Sequence, residues 1–331
     1  MRDRFFTEIL GHIEIIEALS RAFLGRRMAH AYLFSGAAGI GKYKTARAFA
    51  RMLQCNCEQK GHCLACKSTE DDLYPDILTI APQGATIKIE QIREIQRDIR
   101  FAPKTGNYKV FIFDGAEKLT TQAANSLLKM LEEPPQHVIF LLLTAQFHSV
   151  LPTILSRCQH ITFAPVSEQD IVDWLTNRGF PANKAMAAAV ISGGIPGRAV
   201  LWAEDGQVLR DQVFEYLETL QQSPPGHIWD TVAKLDLERE QLITIMEIIS
   251  IVLRDCVVWK TTGEPGLLLY QDCERRVTRL AQKVNLNEIL AVSKEIEDLK
   301  RMVLGNANSR LVLEKLCLRL QDALATQGGV C

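Results

Sequence analysis

The sequence predicts an α/β fold: a phosphate-loop nucleotide domain on a parallel sheet, then a small helical lid and an all-α C-terminal domain. Three observations carry this expectation. The glycine-rich loop Gly36-Ala37-Ala38-Gly39-Ile40-Gly41-Lys42 lies between an apolar run and a helical pattern. Strand-like apolar runs alternate with amphipathic segments as far as about residue 165, as in parallel sheets covered on both faces. From residue 211 onward only helical periodicity is left.

Taken in order, Ile13 to Leu24 has apolar residues at helical spacing, and Ala31-Tyr32-Leu33-Phe34 is a short buried strand. The glycine loop follows directly, and Thr45 to Cys55 continues as a helix. Strand, loop and helix together form the context a phosphate loop needs, because glycine N–H groups and a helix N-terminus converge on the anion. Asp76 to Ile80 is a second strand, Ile89 to Ile99 a helix, and Val110 to Phe113 a fully apolar strand ending in Asp114. Ala123 to Leu131 is helical and stops at Glu132-Glu133-Pro134-Pro135, and Val138 to Thr144 is a further core strand. Ligands of such sheets sit at the carboxyl ends of the strands, where the loop, Asp114 and Thr144 all fall. Ser167, with Glu168 and Asp170 behind it, suits a helix N-cap and opens the lid. Short helices follow around Gly193-Gly194-Ile195-Pro196-Gly197. Ser223-Pro224-Pro225-Gly226 then interrupts a helical region whose long amphipathic stretches are Leu242 to Trp259, Leu286 to Val303 and Ser309 to Leu324. The expected domains are therefore 1–165, 166–210 and 211–331.

A length of 331 residues suits two or three domains, and 47% hydrophobic with 23% charged residues is ordinary for a globular protein. A net charge of −1 argues against a large basic surface devoted to gripping DNA. No apolar run reaches membrane-span length, and Met1 to Phe6 lacks the features of a signal peptide, so a cytoplasmic location is expected.

The glycines of the loop would let backbone N–H groups meet phosphate oxygens, and Lys42 would neutralise the β and γ phosphates. Gly36, Gly39, Gly41, Lys42, Asp114 and Thr144 are the candidate nucleotide-side residues. The position after Lys42 normally carries the Ser or Thr hydroxyl that holds Mg²⁺, and here it is Tyr43. Asp114 ends its strand as a metal-binding Asp would, yet Gly115 occupies the place of the Glu that polarises attacking water, with Glu117 two residues further on. The residues leave two readings open: ATP or ADP held without efficient hydrolysis, or a loop with no ligand. Nine cysteines are present, and Cys55, Cys57, Cys63 and Cys66 cluster as Cys-x-Cys and Cys-x-x-Cys. In a reducing compartment four thiolates suit a closed, structural zinc site, with His62 as a possible substitute ligand. Arg157 in Ser156-Arg157-Cys158 would by itself be taken for a solvated or ion-paired surface residue.

Together these residues resemble the bacterial DNA polymerase III clamp loader, a family of AAA+ proteins. The resemblance covers most of the chain and is most specific in Ser126-Leu127-Leu128-Lys129-Met130-Leu131-Glu132-Glu133-Pro134-Pro135 and in Leu151-Pro152-Thr153-Ile154-Leu155-Ser156-Arg157-Cys158. Ile9-Leu10-Gly11-His12 resembles the adenine-side segment, and Asn306 to Arg310 lies in a stretch similar to the collar through which subunits assemble into a ring. Ile87 to Arg93 and Gly194 to Ala199 are similar to the delta-prime class of subunit rather than to the gamma/tau motor class. The resemblance implies that Arg157 reaches into the ATP site of a neighbouring subunit. It also implies gamma/tau and delta subunits as partners in a hetero-oligomeric ring, with the sliding clamp and primer-template DNA engaged through the assembly. Gly197 stands where the motor class carries a lid arginine, and the cysteine spacing is shorter than the family's usual one.

With Tyr43, Gly115 and Gly197 departing at one site, the expectation is a subunit that assists a neighbour's hydrolysis. The alternatives are an active motor using Glu117 with Thr45 or a backbone-held water, and a zinc-dependent DNA-binding module. Metal analysis is expected to find about one zinc per chain. Replacing Cys63 and Cys66 together is expected to release it, and full retention would point to another ligand set.

Overall fold

The computed structural model describes residues 5–55, 74–104, 106–204, 206–222, 239–305 and 307–324. The chain divides into two compact units, Met1–Val200 and Leu201–Cys331.

The first unit is built on five strands: β1 (Ala31–Ser35), β2 (Ile77–Ile80), β3 (Lys109–Asp114), β4 (Val138–Thr144) and β5 (Gln159–Thr162). Their order is β2-β3-β4-β1-β5 and all are parallel. The central three are apolar through their middles because helices cover both faces. Residues alternate between those faces with period two. Tyr32 and Phe34 of β1, Val110 and Ile112 of β3, and Ile139 and Leu141 of β4 enter one core cluster. They meet Ile16 and Leu19 of α1 (Ile13–Leu24) and Phe49 and Leu53 of α2 (Lys42–Leu53). The intervening residues Leu33, Phe111, Phe113, Phe140 and Leu142 face the other cluster. There they meet Ile92 and Ile95 of α3 (Ile89–Asp98), Leu127 and Leu131 of α4 (Thr121–Glu132), and Ile154 of the short α5 (Pro152–Leu155).

Three details differ from what the sequence suggests. The helix after the glycine loop starts at Lys42 rather than Thr45, because Gly41 caps it directly. β5 and α5 are additional elements: β5 is an edge strand of largely exposed residues, so its sequence carries no apolar run. Asp76 lies just outside β2 and is fully buried, and its carboxylate accepts N–H groups from Lys104 (2.7 Å) and Gly106 (3.2 Å). Lys109 is also buried, with Nζ paired to Asp98 at 2.9 Å. Both buried charges therefore fix the approach to β3 and, through it, the position of Asp114.

α6 (Glu168–Asn177) opens with Ser167 as N-cap, its Oγ accepting the Asp170 N–H at 3.1 Å, as expected. α6 pairs with α7 (Ala182–Ser192), and α8 (Pro196–Glu204) follows.

The second unit contains α9 (Gly206–Gln222), α10 (Arg239–Thr262), α11 (Glu274–Lys283), α12 (Leu286–Leu304) and α13 (Ser309–Leu324). α10 packs against α9, α11 and α12, and its Met246, Ile249, Val252 and Leu253 are buried. Asp255 on the same helix is fully buried and accepts the N–H groups of Leu269 (3.0 Å) and Tyr270 (2.9 Å). No helix among the described residues is long and apolar enough to cross a membrane.

Asp76→Ala would leave the N–H groups of Lys104 and Gly106 without this acceptor. It is expected to lower unfolding stability by about 2–3 kcal/mol, read as a lower urea midpoint at unchanged slope.

Candidate nucleotide-binding site

The glycine loop leaves the end of β1 and enters α2 within a few residues, and its conformation depends on glycine. Gly39 and Gly41 have φ of 79° and 110°, a region that side chains rarely adopt. The loop is tied to the sheet at its first residue, where Gly36 N–H donates to the Thr144 carbonyl at 3.3 Å. Lys42, the first residue of α2, folds back so that Nζ donates to the carbonyls of Gly36 (2.7 Å) and Ala37 (2.8 Å). Burial lowers the Lys42 pKa, while the carboxylates of Glu117 and Asp114 oppose that shift. The loop lysine and both carboxylates thus share one electrostatic environment.

Asp114 is exposed at the end of β3. Gly115 follows with φ 95°, its N–H held by the Leu143 carbonyl at 3.1 Å. A Cβ there would lie 3.1 Å from Lys118 Cδ. Glu117 lies in a 3₁₀ turn over Ala116–Lys118. Its Oε1 accepts the Ala145 N–H at 3.4 Å, and its buried Oε2 has no hydrogen-bond partner among the described residues. The Thr144 hydroxyl is buried and accepts the Gln146 N–H at 3.0 Å.

The Tyr43 phenol shares a hydrogen bond with the Thr79 hydroxyl of β2 at 3.3 Å. The Thr45 hydroxyl is buried and donates to the Gly41 carbonyl one turn back at 3.0 Å. His12, in the left-handed region at φ 54°, donates Nε2–H to the Ile40 carbonyl at 3.0 Å and sets its ring edge-on against Phe163. Burial lowers its pKa, with the Ile40 bond acting against the shift. Its sequence segment marks it only by resemblance, and the contact with the loop is visible in three dimensions alone.

The lid meets the loop main chain to main chain. Gly197 N–H donates to the Gly39 carbonyl at 3.0 Å. A Cβ on Gly197 would lie 2.9 Å from that carbonyl oxygen and 3.0 Å from Gly39 Cα, so any side chain would strike backbone. Gly39 is similarly close to Ile195, 3.3 Å from an added Cβ to the side-chain methyl.

The fold thus gathers Gly36, Gly39, Gly41, Lys42, Asp114 and Thr144 at the carboxyl rim of β1, β3 and β4. Arg157 belongs to a separate group just beyond α5, and its bonds go to Glu132, Thr153 and Ser156 rather than to the loop. Cys55 is buried beyond the C-terminal end of α2. Cys57, Cys63 and Cys66 lie outside the described residues. Among the described residues no cluster of His, Cys, Asp or Glu is arranged to hold a metal.

Two family models match the chain: "DNA polymerase III, delta subunit" over residues 11–167, and its C-terminal counterpart over residues 207–322. The chain is 30% identical over 307 residues to DNA polymerase III subunit delta' of Bacillus subtilis (strain 168), spanning 89% of this chain and 92% of that one. It is 38% identical over 175 residues to DNA polymerase III subunit tau of the same organism, and there it spans 52% of this chain but only 31% of the relative. Among solved structures, a DNA polymerase III gamma subunit-related protein from Thermotoga maritima superimposes with TM-score 0.52 at 18% identity, covering 92% of this chain and 99% of that one. That likeness shows a shared fold.

Gly197→Ala is expected to break the close approach to Gly39 and cost about 1–3 kcal/mol of stability. The loss should appear as a lower melting temperature and faster hydrogen exchange at the Gly197 amide, and an unchanged exchange rate would mean the contact is dispensable.

Proposed function

The chain belongs to the delta' family of DNA polymerase III clamp-loader subunits, and from that premise we propose that it acts as a fixed partner in a neighbour's ATP site. In this reading it presents Arg157 to the γ-phosphate of ATP on an adjacent gamma/tau-type motor subunit. Its own glycine loop contributes little or no hydrolysis, with ATP or ADP held weakly or not at all. The ring would also include a delta-type subunit, and through the assembly the chain would serve the loading of a sliding clamp onto primer-template DNA. The helices of the second unit would form its collar, and the cysteines at 55, 57, 63 and 66 would hold a structural zinc ion.

The observation that carries the reading is the contrast between Tyr43 and Arg157. The only hydroxyl at position 43 is a phenol engaged with Thr79, whereas the Arg157 side chain is 35% exposed and already oriented. Gly115 and Gly197 add support. A Glu at 115 would need a backbone conformation that side chains rarely adopt, and an arginine at 197 would collide with the Gly39 main chain. An arginine supplied across an interface works by stabilising charge on the transferring phosphoryl group, which needs nothing from the donor's own loop.

One observation favours a motor instead: Glu117 faces the electrostatic environment of Lys42 and has an oxygen without a hydrogen-bond partner. The other element of that alternative has less support, because the Thr45 hydroxyl is committed to Gly41. An ATPase assay on the isolated chain separates the two readings. Turnover that disappears in Lys42→Ala would establish a motor.

Arg157→Ala is expected to leave folding intact and to lower ATP turnover and clamp loading by the reconstituted assembly by about 10³-fold or more. Unchanged loading would remove the role given to Arg157.

A further inference from the structure

Both terminal nitrogens of Arg157 are held. Nη1 donates to the Thr153 carbonyl (3.0 Å) and the Ser156 hydroxyl (3.1 Å), and Nη2 donates to Glu132 Oε1 (2.8 Å). The first two acceptors belong to α5 and its C-cap, so they tether the side chain only to its own turn. Glu132 is different. It is the last residue of α4, a separate helix packed against α5, and Leu127 and Leu131 of α4 share a core with Ile154 of α5. The carboxylate therefore fixes the guanidinium relative to the sheet and its covering helices.

The pair is half-exposed, with side chains 35% and 50% accessible, so it contributes little to folding stability. It also leaves Arg157 able to bind an anion. A guanidinium has five N–H donors in a planar fork, and it can keep a carboxylate on one side while offering the remaining donors to a phosphate. Nε carries none of the three bonds described above.

We propose that Glu132 is the positioning residue for Arg157. From the end of α4 its carboxylate holds the guanidinium in the orientation in which it meets the nucleotide phosphate of an adjoining subunit. This inference rests on the role proposed above for Arg157. It predicts that removing Glu132 slows the chemical step without weakening ATP binding, because the arginine must then be ordered during the reaction itself.

The test is a double-mutant cycle in the reconstituted assembly containing the full chain, with kcat and KM for ATP measured for wild type, Glu132→Ala, Arg157→Ala and the double variant. Glu132→Ala is expected to lower kcat by between about 5-fold and 100-fold at unchanged KM, with the melting temperature of the isolated chain unchanged. Glu132→Gln, which keeps an acceptor but loses the charge, should fall between wild type and Glu132→Ala. In the Arg157→Ala background Glu132→Ala should cause no further loss. An unchanged kcat in Glu132→Ala would overturn the proposal. So would an increase, which would make Glu132 a mask over Arg157, or an equal loss in both backgrounds, which would make its role independent of Arg157. If Arg157→Ala itself keeps wild-type turnover, the role of Arg157 fails and the positioning role with it. That outcome is distinct from a failure confined to the Glu132 variants.

Discussion

The first unit depends on how β4 ends. β4 lies between the strand that carries the glycine loop and the strand that carries Asp114, and its last two carbonyls point in opposite directions, as successive carbonyls of a strand must. The Leu143 carbonyl holds the Gly115 N–H and the Thr144 carbonyl holds the Gly36 N–H. Both functional turns of the rim therefore hang from neighbouring peptide groups of one buried strand. The register that places Ser35 opposite Thr144 and Asp114 opposite Leu143 is fixed by the alternating side chains of two cores. A one-residue slip would turn Phe140 and Leu141 to the wrong faces and separate the loop from the acid.

On that foundation the lid adds a contact of unusual economy. Gly39 and Gly197 meet through backbone alone, and the closeness is possible because Gly197 has no side chain. Lys42 is drawn toward the same loop by its carbonyls, while Tyr43 is drawn away toward Thr79. Two adjacent residues at one helix start thus serve opposite ends of the rim.

How much of this was legible in the sequence followed from how local the signal is. β1, β3 and β4 are apolar through their middles and were visible, as were the glycine loop and the Ser167 cap. β5 was not, because an edge strand that pairs only with β1 needs no apolar run. Asp76 looked like the first residue of a strand, and only the fold shows its carboxylate accepting the N–H groups of Lys104 and Gly106. The residues of the candidate site could be named because each sits at a strand end or in the loop. Their relations could not: His12 reaches Ile40, Gly197 reaches Gly39 and Arg157 reaches Glu132 across long stretches of chain. Glu132 and Arg157 each stood in a recognisable segment, but nothing in either segment says that one faces the other.

Gly115 carries a consequence for how this rim can change. Its main chain is folded into the left-handed region and fastened to Leu143, and a Cβ there would come within 3.1 Å of the Lys118 side chain. A single codon change to glutamate would therefore supply a carboxylate in a conformation that resists it. At this position the cost of a carboxylate falls on the main chain after β3 before it falls on any neighbouring side chain.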